Sequence, residues 1–125
     1  MVSLLVNGID YPLCMTVSVA EAFESRYGEI AKLTTAYSGK SRVQTFKELI
    51  WQLARLIEGG CSYAALTSNS DLEPLSEEEL GILIPLSRAN EIAGLVVNSV
   101  ADGFRREVET EPDRKNGNAT RNKKR

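Results

Sequence analysis

The sequence predicts an α+β fold: an N-terminal β-hairpin packed against a bundle of about four to five helices. One domain covers residues 1–111, and a disordered basic tail covers 112–125. Three observations lead there. Val2–Val6 and Ile9–Met15 flank Asn7-Gly8, a pair that favours a two-residue hairpin turn. Downstream, apolar residues recur at spacings of 3 and 4 behind Ser-x-x-Glu/Gln capping sequences. Residues 112–125, PDRKNGNATRNKKR, hold no large apolar side chain able to join a core.

The hairpin comes first. Asn and Gly tolerate the positive φ that a type I′ turn needs at both central positions. The turn sets the register: Val6 opposite Ile9, Leu4 opposite Tyr11, Val2 opposite Leu13. Those six side chains share one face, while Ser3, Leu5, Asp10, Pro12 and Cys14 occupy the other. A lone hairpin is marginal in water, so its apolar face needs a cover. The helices at Val19–Tyr27 and Val43–Ile57 are the expected cover, which leaves the free strand edges for assembly.

The helices follow in order. Ser18-Val-Ala-Glu21 reads as a capping box for a helix from about Val19 to Tyr27, closed by Gly28. A weaker helix spans about Glu29–Tyr37. Ser41-x-x-Gln44 caps a third helix, Arg42–Glu58, whose stripe is Val43, Phe46, Ile50, Leu53 and Ile57, widened by Leu49 and Leu56. Gly59-Gly60 is expected to end it, and 59–75 reads as a polar loop. Ser76-Glu-Glu-Glu79 caps a short helix that must break at Pro85. A long helix then runs from Leu86 to about Val108, with Leu86, Ala89, Ala93, Val96, Val97, Val100, Phe104 and Val108 as its stripe.

Composition narrows the chemistry. The chain has no histidine. Ser-His and Cys-His pairs, imidazole acid–base catalysis and most zinc or iron sites are thereby excluded. No spacing suggests carboxylate-only catalysis, so neither an enzyme nor a cofactor is expected. The longest apolar runs fall far short of the ~18 residues that span a bilayer, and no signal peptide is read. Cys14 and Cys61 read as reduced structural thiols. Residues 1–111 hold nine Lys/Arg against sixteen Asp/Glu, a net −7, whereas 112–125 hold six against one, a net +5. The tail has no interleaved aromatics, so nucleic acid is not the expected partner.

Local constellations read as structure. Ser38-Gly-Lys-Ser41 lacks the upstream glycine and strand of a phosphate loop, and is a turn with a helix cap. Glu77-Glu78-Glu79 point in different directions from one helix and cannot converge on one ion. Trp51 lies roughly 130° from the centre of its helix's stripe, at about 100° per residue. That helix is apolar over more than one face. Either it is sandwiched inside the fold, or part of it awaits a partner. Leu5, Leu49, Trp51 and Leu56 are therefore candidate partner-contact residues.

The order of these pieces resembles the tail assembly chaperones of long-tailed bacteriophages. The resemblance rests on Val6-Asn7-Gly8-Ile9-Asp10-Tyr11-Pro12-Leu13, Glu24-Ser25-Arg26-Tyr27-Gly28 and Leu75-Ser76-Glu77-Glu78-Glu79-Leu80, and covers residues 1 to about 105. The polar loop at 59–75 departs from the family's pattern. The resemblance implies a non-enzymatic α+β protein in the host bacterial cytoplasm, absent from the mature virion. Such a protein coats the tape measure protein, keeps it soluble and self-associates. In many such phages a longer, frameshifted form recruits tail tube subunits. Lys123-Lys124 is compatible with the run of A on which ribosomes slip, and joins the candidate partner-contact residues. The rival reading is a small regulatory protein that inhibits one host protein.

Overall fold

The computed structural model describes residues 2–109, with side chains described as far as Phe104. The tail at 112–125, Lys123 and Lys124 included, lies outside the described residues. Strands β1 (Val2–Val6) and β2 (Ile9–Leu13) form a two-stranded antiparallel sheet. Its register is the expected one: Val2↔Leu13, Leu4↔Tyr11 and Val6↔Ile9. Asn7 and Gly8 both take positive φ, 53° and 79°. Leu4, Val6, Tyr11 and Leu13 are buried, Val2 is half-buried, and Ile9 beside the turn is exposed.

A two-residue turn makes the flanking pair exchange hydrogen bonds, and the pattern then alternates along the ladder. Ser3, Leu5, Asp10 and Pro12 therefore direct their backbone groups outwards. Pro12 consequently loses no ladder bond. The two edges differ. The β2 edge is closed by helix α2, and the Cys14 N–H just beyond it donates to the Leu56 carbonyl at 3.1 Å. On the β1 edge, the Arg88 guanidinium donates to the Leu5 carbonyl at 3.2 Å.

Helix α1 spans Val17–Tyr27. Its N-cap is Thr16, whose hydroxyl accepts from the Val19 N–H at 3.2 Å. The expected Ser18–Glu21 box is not formed, because the chain turns into the helix directly after β2 and Ser18 is already helical. Gly28, at φ 84°, closes the helix by donating to the Glu24 carbonyl. Thr16→Ala is expected to cost about 1 kcal/mol and Ser18→Ala less than about 0.5 kcal/mol. Paired urea titrations check this, and equal losses would return the cap to Ser18. The weaker helix is a 3-10 helix, Ile30–Tyr37, which buries Leu33.

Helix α2 runs from Arg42 to Ser68 and is the spine of the fold. It packs against β2, α1, the 3-10 helix and two later helices. Ser41 and Gln44 cap it reciprocally, at 3.1 and 3.3 Å. The expected stop at Gly59-Gly60 is wrong. The helix continues for two more turns and ends at Asn69, which takes the left-handed conformation at φ 56°. The two glycines bring the hairpin backbone against the helix. A Cβ on Gly60 would strike the Pro12 carbonyl, and one on Gly59 would stand 2.7 Å from Val19 Cγ2. This approach offsets the helix propensity of about 1 kcal/mol that each glycine forgoes.

Helix α3 (Glu77–Leu83) carries the expected Ser76–Glu79 capping box, with bonds of 3.1 and 2.9 Å. Pro85 breaks the chain direction by 99° between α3 and Leu86–Phe104. A single 3-10 turn (Leu86–Arg88) leads into α4 (Ala89–Glu109). α4 lies against β1 and α2, and so supplies hairpin cover that the sequence assigns to the first helix. Its core face differs from the expected stripe. Ile92, Val96 and Ser99 are buried, while Val97 and Phe104 face outwards. No single described helix is long and apolar enough to cross a membrane.

Candidate partner-binding surface

The sequence-predicted contact residues do not assemble into one site. Leu49 and Leu56 are core residues, at 4% and 0% exposure, so neither offers a surface to a partner. The sandwiched alternative holds for that flank of α2, because α4 and β2 lie against this helix. Leu5 is 60% exposed on the outer face of the hairpin, remote in sequence from the other candidates. Trp51 is half-buried in an aromatic cluster, 5.5 Å from Phe23 and 5.9 Å from Tyr27 between ring centroids. The Arg26 guanidinium lies over its ring at 4.4 Å and that of Arg55 at 5.5 Å. These two cations already occupy the indole in a cation–π arrangement.

Beside this cluster is a buried carboxylate. Glu48 accepts two bonds from Arg26, at 2.7 and 3.1 Å, and a third from the Tyr27 hydroxyl. Gln52, fully buried, donates to the Tyr27 oxygen at 2.9 Å and accepts from the Tyr37 hydroxyl at 2.6 Å. One chain of bonds thus joins α1, α2 and the 3-10 helix. The Arg26 guanidinium holds the Glu48 carboxyl below its ordinary range. Burial pushes the Tyr27 and Tyr37 hydroxyls up. Each charge is paired and each tyrosine bonded, so the network locks three elements together and leaves no reactive group poised. Burial likewise raises the Cys61 thiol, disfavouring its nucleophilic thiolate form. Among the described residues, no group of three His, Cys, Asp or Glu side chains is placed to hold a metal ion.

A better binding surface lies at the other end of α2. The chain bends at Pro85, and a groove of ≈ 580 Å³ opens between α3 and the start of α2. Phe46, Ile50 and Ile84 are its buried lining. Val43, 56% exposed, and Ile82, 76% exposed, add apolar side chains that contact water. Lys47 contributes a positive charge to the lining, and Glu77 and Glu78 on α3 contribute negative ones. Gly81 also lines the groove, and a Cβ there would meet nothing within 4 Å. Glycine inside a helix costs about 1 kcal/mol relative to alanine, and no packing among the described residues demands it here.

Sequence reasoning missed this groove for a specific reason. Val43 falls on the α2 core stripe by periodicity, yet it is 56% exposed where the chain turns by 99° at Pro85. The short spacing of Ile82, Leu83 and Ile84 before a proline was the available signal. No family model matches the chain, and neither do curated proteins or solved structures.

Proposed function

We propose that this chain acts by binding, as a tail assembly chaperone of a long-tailed bacteriophage. It holds an amphipathic helical segment of the tape measure protein in the α2–α3 groove, keeps that protein soluble, and helps recruit tail tube subunits. The groove is the observation that carries the reading: an apolar trough, open to water, with Lys47 and the Glu77–Glu78 pair in its lining. Helix-in-groove recognition needs an apolar channel for i, i+3, i+4 and i+7 anchors, with charges to orient the helix. The sequence resemblance supplies the identity of the helix, and the absence of an acid–base constellation favours binding over catalysis.

Co-expression with the tape measure protein of a long-tailed bacteriophage tests the proposal. The expected result is a soluble co-purifying complex. Val43→Asp combined with Ile82→Asp is expected to weaken it by about 30-fold or more, the loss of an interface anchor. Both side chains are largely exposed, so the melting temperature should stay near that of the parent. An insoluble tape measure protein, or a complex indifferent to both substitutions, would sink the reading. A one-to-one complex with a single host protein, without any effect on the tape measure protein, would instead identify a regulatory inhibitor.

A further inference from the structure

The two walls of the α2–α3 groove carry opposite charge. Residues 40–47, where the chain enters α2, hold Lys40, Arg42 and Lys47 and no acid. Residues 71–79, the approach to α3 and its first turn, hold five acids and no Lys or Arg. No Lys or Arg occurs anywhere between Arg55 and Arg88 in sequence. Lys47 lines the groove on the α2 side, and Glu77 and Glu78 line it on the α3 side. All three are exposed. The ion pairs among the described residues are Arg26–Glu48, Arg55–Glu58 and Arg88–Glu91, so none of them crosses this groove. Two walls of opposite sign thus face each other without meeting, above a floor of buried Phe46, Ile50 and Ile84.

We infer that the groove selects its partner by the placement of charge: an amphipathic helix with an apolar stripe, Lys or Arg along one flank and Asp or Glu along the other. This rests on reading the groove as a helix-binding site. A helix laid apolar side down shows one flank to each wall. The flank beside Glu77 and Glu78 meets carboxylates, and the flank beside Lys47 meets an ammonium group. A basic flank on the α3 side and an acidic flank on the α2 side satisfy both walls at once. A helix acidic on both flanks sets like charge against Glu77 and Glu78, and one basic on both flanks does so against Lys47. Such juxtapositions reject wrong partners. The walls are open to water, so each pairing is weak alone and discrimination comes from their sum. In heptad terms the partner is apolar at a and d, with one sign of charge at e and the other at g. Turning such a helix end for end exchanges its flanks, so the same pattern also fixes the direction in which it lies.

Two synthetic peptides of about 18 residues, long enough to form a helix, test it. They share composition, helicity and a leucine stripe. One gathers its lysines on one flank and its glutamates on the other, and the second mixes both on each flank. Fluorescence anisotropy of the labelled peptides with the full chain is expected to show the sorted peptide binding about 10-fold more tightly at low salt. The advantage should shrink in ~1 M salt, where the screening length falls to ~3 Å. Lys47→Gln, Glu77→Gln and Glu78→Gln together should reduce it to about 2-fold or less, with far-UV circular dichroism unchanged. Val43→Asp with Ile82→Asp should release both peptides, which places them in the groove. A sorted peptide that fails to bind, or binds no better than the mixed one, would overturn the inference. So would an advantage that survives the three glutamines, or peptides indifferent to Val43→Asp with Ile82→Asp. If the tape measure complex nonetheless forms and depends on Val43 and Ile82, the helix-binding reading stands and only the charge rule falls.

Discussion

Gly60→Ala is expected to abolish folding or to cost about 3 kcal/mol or more, an effect at the upper end for adding one methyl group. The added Cβ would run into the carbonyl of Pro12, with Leu13 N at 2.9 Å. These are backbone atoms, and they have little freedom to retreat. Pro12 and Leu13 are paired with Ser3 and Val2, and the Cys14 N–H is tied to the Leu56 carbonyl one turn before Gly60. Relief requires lifting the hairpin off α2, which exposes Leu4, Tyr11 and Leu13 together. Gly81→Ala supplies the contrast. Its Cβ meets nothing, so alanine should stabilise the chain by about 0.5–1 kcal/mol through helix propensity alone. Urea denaturation of the two variants beside the parent decides the matter. A loss below about 1 kcal/mol at Gly60 would mean that the hairpin is not seated on the helix there.

The contrast between these glycines also marks which parts of the fold were legible in sequence. Asn7-Gly8 specified its turn and register from within, because a two-residue loop leaves little choice of pairing. Ser41 with Gln44, and Ser76 with Glu79, announced helix starts whose partners lie three residues away. Gly59-Gly60 carried the opposite meaning from its local one. Read alone, the pair is a helix stop, but a backbone arriving from more than forty residues earlier makes it a seat. The same limit explains Thr16 displacing Ser18 as the cap, since the end of β2 decides where the chain enters α1. For the binding surface, periodicity found that α2 was apolar on several sides but could not say which side faces its neighbours. α4 and β2 took Leu49 and Leu56, Arg26 and Arg55 took Trp51, and Val43 stayed in the open where the chain turns at Pro85. Leu5, exposed on the outer face of the hairpin, is the one described candidate whose outward position followed from alternation alone.

Glu48→Ala is expected to cost about 2 kcal/mol, less than the ~3–5 kcal/mol for breaking a fully buried pair, because the Arg26 side chain is 42% exposed and can return to water. The Tyr27 hydroxyl loses its acceptor while Gln52 still donates to its oxygen. The network further sets a pH window. Arg26 bonding lowers the Glu48 carboxyl below its ordinary 4.5, so the folded state binds that proton less readily than the unfolded one. The resulting stability is present above 4.5 and drains away as pH falls through the lowered value. At the other limit, burial raises Tyr27 and Tyr37 above their ordinary 10.0, so their contribution is full below 10.0 and is lost as pH climbs towards the raised values. The sharpest measurement is therefore a difference. Subtracting the stability of Glu48→Gln from that of the parent at each pH should give a gap that is flat near neutrality and narrows below about 4.5, while Tyr27→Phe should blunt only the alkaline limb. A gap that stays constant down to pH 2 would show that Glu48 is not held as a carboxylate by Arg26. The three elements around Trp51 would then be joined by aromatic packing and by the Gln52 bonds to Tyr27 and Tyr37.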